Sequence, residues 1–142
     1  MNHSLIAAAL SAWGVEDIPG SEHNITILGW LDQLGFPMIA DDETPWCSTF
    51  VNWVAMVTGH ERSCHLSARS WLDVGKTMPA PMVGDVVILW RDKPESTKGH
   101  VGFYVGEDLD SIRLLGGNQD NKVCIKEYPK DRVLGYRRLG TV

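Results

Sequence analysis

The apolar positions of this chain follow two different rhythms. Over 4–13, 24–35 and 45–58 they recur at helical spacing, whereas from residue 84 onward they alternate or form short continuous runs. The third helical stretch has the clearest bounds: Thr44 suits an N-cap, Pro45 takes the position that tolerates a missing amide hydrogen, and Gly59 suits the exit. A shorter helical piece is predicted over 67–74. Gly84-Asp85-Val86-Val87-Ile88-Leu89-Trp90 then reads as a buried strand. In the next strand Val101, Phe103 and Val105 form one face, and His100, Gly102 and Tyr104 form the other. The polar segment Glu107-Asp108-Leu109-Asp110 separates it from the apolar run at 111–115, so the two read as a hairpin. Further strands are predicted over 122–128 and 133–139. Helices first and antiparallel strands afterwards predict an α+β fold, with the helix that carries Cys47 packed on the sheet so that its start meets the strand bearing His100.

Composition narrows this picture. With 142 residues, 44% hydrophobic and 22% charged, the chain is expected to form one domain over 1–142 with a core of its own. It shows no repeat or low-complexity tract, and no apolar run approaches the roughly 20 residues that span a bilayer. A net charge of -5 argues against nucleic acid as the partner, because phosphate binding needs a basic face. The apolar run Leu5-Ile6-Ala7-Ala8-Ala9-Leu10 has no Lys or Arg before it and continues into Ser11-Ala12-Trp13, so it reads as an ordinary amphipathic helix rather than a secretory leader. Three cysteines leave at least one unpaired if disulfides stay within the chain, and a Cys64–Cys124 pairing is left open. Cys64 lies beside His65 and near His60, but the spacing has no CxxC or HxxxH frame, so no metal is expected.

The candidate chemistry centres on Cys47. In the first turn of a helix its thiol meets positively polarised backbone amides, which favour thiolate. Residues 50, 54 and 57 share its face, so the sulfur is expected to look inward. A base is available in His100. If the hairpin is centred on Leu109, Asn118 lies opposite His100, with Cβ atoms about 5 Å apart. A slip of one residue, or a bulge at Gly116-Gly117, puts Gln119 or another neighbour there instead. Alone, each residue reads as structural: a buried cysteine, a satisfied histidine, a turn asparagine. Together, and with the cysteine first in the chain, Cys47, His100 and Asn118 compose the nucleophile, base and orienting amide of a cysteine hydrolase. Trp46 is the candidate for lining a substrate cleft, with Trp71 a second; Trp53 and Trp90 read as core. Asp42 and Glu43 read as complements to the helix dipole.

The stretch from Asp42 through Thr44-Pro45-Trp46-Cys47-Ser48-Thr49-Phe50 to Trp53 is followed by Ala68-Arg69-Ser70-Trp71-Leu72, Gly84-Asp85-Val86-Val87, Gly99-His100-Val101-Gly102 and Gly116-Gly117-Asn118-Gln119. In this order the segments resemble the small bacterial and phage proteins of the NlpC-like and CHAP (cysteine, histidine-dependent amidohydrolase/peptidase) superfamily. The lead-in Gly14-Val15-Glu16-Asp17-Ile18-Pro19-Gly20 is similar too. The resemblance implies a papain-like fold, helices on an antiparallel sheet or half-barrel, and cleavage of amide bonds in peptidoglycan stem peptides. It implies Cys47 as nucleophile, His100 as base and Asn118 as third residue, a position where the superfamily also uses histidine, glutamate or aspartate. The acidic calcium loop of some relatives is not apparent, and no cofactor is implied. Without an evident leader, such an enzyme is expected to be made in the cytoplasm and to reach the wall by lysis or a non-Sec route, as a phage lysin or a type VI effector. An immunity protein is an implied partner in the latter case. Two alternatives share the scaffold: a thiol acyltransferase of transglutaminase type, and a non-catalytic binding module.

Overall fold

A computed structural model describes residues 2–16, 25–36 and 46–142. Three helices come first: α1 (His3–Ser11), α2 (Ile25–Leu34) and α3 (Cys47–Val57). A 3-10 segment, Ala68–Asp73, leads into six strands, with a second, Lys130–Arg132, before the last: β1 (Lys76–Met78), β2 (Val86–Trp90), β3 (Gly99–Glu107), β4 (Ser111–Gln119), β5 (Lys122–Pro129) and β6 (Val133–Arg138). The strands form one antiparallel sheet in the order β1-β6-β2-β3-β4-β5. The chain is α+β, as its two hydrophobic rhythms predict. Thr44 and Pro45, read as the start of α3, lie outside the described residues, as do Asp42 and Glu43. Among the described residues α3 opens at Cys47, with Trp46 in the cap position and no side-chain cap bond.

The apolar run in β2 is buried on both faces because the sheet is covered on both. Val86 and Ile88 join Val101, Phe103, Phe50, Val51 and Val54 in the cluster under the helices. Val87 and Leu89 pack on the opposite side with Tyr104, Ile112 and Leu114. Leu5 and Ala9 of α1 are buried in the first cluster, so this apolar run serves as a packing face. β1 has no counterpart in the hydrophobic pattern. It is a short, exposed edge strand paired to β6, and it follows Gly75, whose φ of +77° and closeness to the Arg138 carbonyl leave no room for a Cβ.

Two devices fix the parts that carry the site. Ser48 and Asn52 of α3 form a buried polar lock: the Trp71 indole donates to Ser48 Oγ at 3.0 Å, Ser48 Oγ donates to the His65 carbonyl at 2.7 Å, and the Asn52 side chain accepts from the Cys64 amide at 3.0 Å. This ties the chain after α3 back to its first turns. Arg69 donates to the carbonyls of Lys98 at 2.9 Å and Pro94 at 3.0 Å, which holds the β2–β3 connection leading to His100.

The β3–β4 hairpin explains where the site's amide comes from. Phe103 pairs with Leu115 and Tyr104 with Leu114, the register of a turn centred on Leu109, and an irregularity after Tyr104 shifts the outer pairs by one. Beyond Leu115 the regular pattern ends: the β4–β5 pairing breaks between Gly116 and Gln119, and Asn118 takes a left-handed φ of +57°. Both glycines are required there. A Cβ on Gly117 would meet the Trp46 ring at 2.7 Å and Phe50 Cβ at 2.8 Å, and one on Gly116 would meet Gln119 Oε1 at 2.6 Å. The missing side chains let β4 press against the start of α3.

Candidate active site

The start of α3 and the start of β3 meet at the Cys47 sulfur. Cys47 is 2% exposed and shares its buried cluster with Val101 and Phe103 of β3. Val101 directly follows His100. No thiol–imidazole hydrogen bond is formed among the described residues; the two elements meet in the buried cluster that Cys47 and Val101 share. Backbone amides and the Arg91 guanidinium pull the thiol pKa down, but burial outweighs them and pushes it up. This corrects the expectation of a thiolate stabilised by the helix start: the resting group is an uncharged thiol.

His100 is 6% exposed, and burial lowers its pKa from 6.5 to about 4, opposed by its hydrogen bond to Gln119 and assisted by the charges of Arg91 and Lys126. Its Nε2 lies 2.9 Å from Gln119 Oε1 and 3.2 Å from the Tyr128 hydroxyl. The tautomer follows from the amide. Gln119 Nε2 donates to the carbonyls of Leu114 at 3.1 Å and Cys124 at 2.6 Å, so its oxygen is the atom left to face the ring. An oxygen there must accept, which places the imidazole proton on Nε2 and leaves Nδ1 as a lone-pair base.

The amide against His100 therefore belongs to Gln119, not Asn118. The expected register holds as far as Leu115, and the turn through Asn118 then carries the next side chain onto the ring. Trp46, expected in the cleft wall, is 5% exposed and packs on Trp30 at 6.2 Å between centroids; its indole N–H has no acceptor among the described residues. Trp71 is likewise buried, in the Ser48 lock. Trp90, read as core, is half-buried and lines an open, mostly polar cleft of about 330 Å³ onto which His100, Asn118, Gln119 and Tyr128 also face. Tyr128 went unread in the sequence, although it shares a β5 face with Cys124 and Lys126, a parity visible in 122–128. All three cysteines are free, Cys64 exposed and Cys124 buried with its thiol 3.3 Å from the Gln119 carbonyl. Among the described residues no three His, Cys, Asp or Glu side chains are grouped to hold a metal ion.

Comparison with known proteins adds fold and family. An NlpC/P60 family protein from Bacillus cereus ATCC 10987 is similar with a TM-score of 0.61 and 17% identity, over 96% of this chain and 39% of its own. A protein of Staphylococcus aureus subsp. aureus Mu50, described as similar to lipoprotein of the NLP/P60 family, gives 0.55 and 17%, over 96% of this chain and 40% of its own. The chain thus spans about two-fifths of the length of these structures, and it shares their papain-like fold. No curated protein sequence matches it significantly. The CHAP domain model matches residues 39–118, which takes in Cys47, His100 and the glycine pair of β4. The chain belongs to the CHAP domain family, a family of peptidoglycan-hydrolase type.

Proposed function

We propose that the protein hydrolyses an amide bond of peptidoglycan stem peptides, with Cys47 as nucleophile, His100 as base and Gln119 as the residue that orients the base. The observation that carries this reading is the locked ring: Gln119, itself held by two backbone carbonyls, leaves Nδ1 of His100 unbonded among the described residues, on the strand whose next residue, Val101, shares the buried cluster of Cys47.

The chemistry follows from these positions. His100 Nδ1 takes the thiol proton as the sulfur attacks the scissile carbonyl carbon, and a tetrahedral oxyanion forms against backbone amides at the start of α3, including that of Cys47. The imidazolium gives its proton to the leaving nitrogen, the C–N bond breaks, and a thioester remains on Cys47. His100 then deprotonates a water that attacks the thioester; the acid leaves, and the proton returns to the sulfur. The neutral resting pair suits this sequence, because charge separates only when a carbonyl is present to be attacked. A missing thiol–imidazole hydrogen bond before substrate binds is compatible with such a mechanism, since these contacts commonly tighten only in the substrate complex.

Digestion of purified sacculi tests the proposal. The wild-type protein is expected to release muropeptides bearing a new amine and a new carboxyl end, identified by mass. Cys47→Ala is expected to release none while its thermal unfolding curve stays nearly unchanged. Lysis retained in that variant would remove Cys47 from the mechanism.

A further inference from the structure

The charge of the cleft runs against the charge of the chain. The whole sequence carries -5, yet the walls around His100 bring together Arg91, Lys126 and Arg132 against one carboxylate, Asp120. That carboxylate is already engaged, 2.7 Å from Lys126 Nζ. Arg132 lies 5.4 Å over the Trp90 ring and has no ion-pair partner among the described residues. The Arg91 guanidinium has neither an ion pair nor a hydrogen bond there, although it is anchored at its root: the Arg91 amide donates to the Lys98 carbonyl at 3.3 Å, and its carbonyl accepts from Ser96 Oγ at 2.7 Å. An exposed arginine held by its backbone, with all five donors unused among the described residues in the cleft that His100 lines, is configured to meet a planar anion.

We infer that Arg91, backed by Arg132, is a carboxylate-binding subsite, and that the protein selects stem peptides carrying a free carboxylate beside the scissile amide over peptides in which that group is an amide. This rests on the reading of the site as a stem-peptide hydrolase and names the form of peptide it takes. Arg91 and Arg132 line the same cleft as His100 and Tyr128, so a carboxylate bound there lies on the imidazole side of the site. A neutral carboxamide at that position offers Arg91 no charge and only one acceptor oxygen. Lys126 contributes less, because Asp120 already neutralises it.

The test uses two synthetic peptides, a γ-linked D-glutamyl stem peptide and the same peptide with its α-carboxylate converted to carboxamide. Binding is measured to Cys47→Ala protein, which holds peptide without cutting it. The carboxylate form is expected to bind about tenfold more tightly, a preference that shrinks at high salt. Adding Arg91→Gln should abolish the preference, while Lys76→Gln, an equal charge change on the far edge strand, should leave it. Equal binding of the two peptides, no saturable binding of either, or a preference that survives Arg91→Gln overturns the subsite. Turnover by the wild-type protein separates this from the hydrolase reading. Cleavage of both peptides at equal rates sinks the subsite alone, whereas an Arg91-dependent binding preference without cleavage sinks the hydrolase and leaves the subsite standing.

Discussion

Two buried histidines, His60 just after the exit of α3 and His100 at the start of β3, separate a structural site from a reactive one by their contrast. At the exit, His60 is 5% exposed and uses both ring nitrogens: Nδ1 lies 2.8 Å from Thr58 Oγ1 and Nε2 lies 3.0 Å from Asn2 Nδ2. At the start, His100 is almost equally buried, but its partners, Gln119 and Tyr128, both crowd onto Nε2. Nδ1 is left over. The same burial with the same chemistry thus yields a ring that fastens the N-terminal segment to the helix in one place, and a ring with spare basic capacity in the other. Adjacent residues on α3 repeat the lesson. Ser48 is saturated by Trp71 and His65, while the Cys47 thiol next to it has no side-chain hydrogen-bond partner among the described residues.

The comparison is broken most forcefully by removing each ring in turn. His100→Ala is expected to lower kcat on stem peptides by about a thousandfold, within the span of a lost general base. His60→Ala is expected to leave kcat nearly intact and to cost about 2 kcal/mol of unfolding free energy, since it vacates buried space and removes one hydrogen bond from each of Thr58 and Asn2. Denaturant titrations and initial rates on both variants check this, and a catalytic collapse from His60→Ala would end the distinction.

The amide offers a finer cut. Gln119→Ala is expected to reduce kcat by about a hundredfold by freeing the ring to rotate and change tautomer, with little change in KM. Asn118→Ala is expected to act mainly on stability, at about 1 kcal/mol, because an alanine is strained at a φ of +57°. If Asn118→Ala proved the more damaging to turnover, the orienting role would pass to it.

The smallest effect is a pH dependence of stability. Burial holds the His100 pKa at about 4 against 6.5 when the ring is free, so between those values the unfolded chain binds the extra proton and the folded one does not. The neutral-ring contribution is complete above about pH 6.5 and is lost as pH falls toward 4, by at most about 3 kcal/mol. Chemical denaturation across this window should show the loss in the wild type and a reduced slope in His100→Gln. An unchanged slope would mean that the ring already protonates in the folded protein.

Much of this is legible in the residue pattern. Three-residue and four-residue spacing marked α1, α2 and α3 to within about two residues at the described ends, and alternation marked β3, because burial of one face imposes those periods on any soluble chain. Cys47 and His100 stood out because a thiol in a first turn and a histidine leading a strand are chemically conspicuous. β1 was missed since an exposed edge strand has no hydrophobic signal to give. Asn118, Trp46 and Trp90 were misplaced for related reasons: which side of a bulge an amide emerges on, and whether an indole faces a cleft or a core, depends on neighbours far away in the chain.

The order of elements, the helix start that holds the thiol and the strand that holds the base are local consequences of periodicity, capping and turn chemistry, and so are written in the residue pattern. Long-range packing is what gives Gln119 its grip on the ring, what raises the thiol pKa and lowers that of the imidazole by burial, and what leaves the Arg91 guanidinium without a partner among the described residues. Those outcomes depend on desolvation and on contacts between residues tens of positions apart, and neither quantity is carried by any single stretch of sequence.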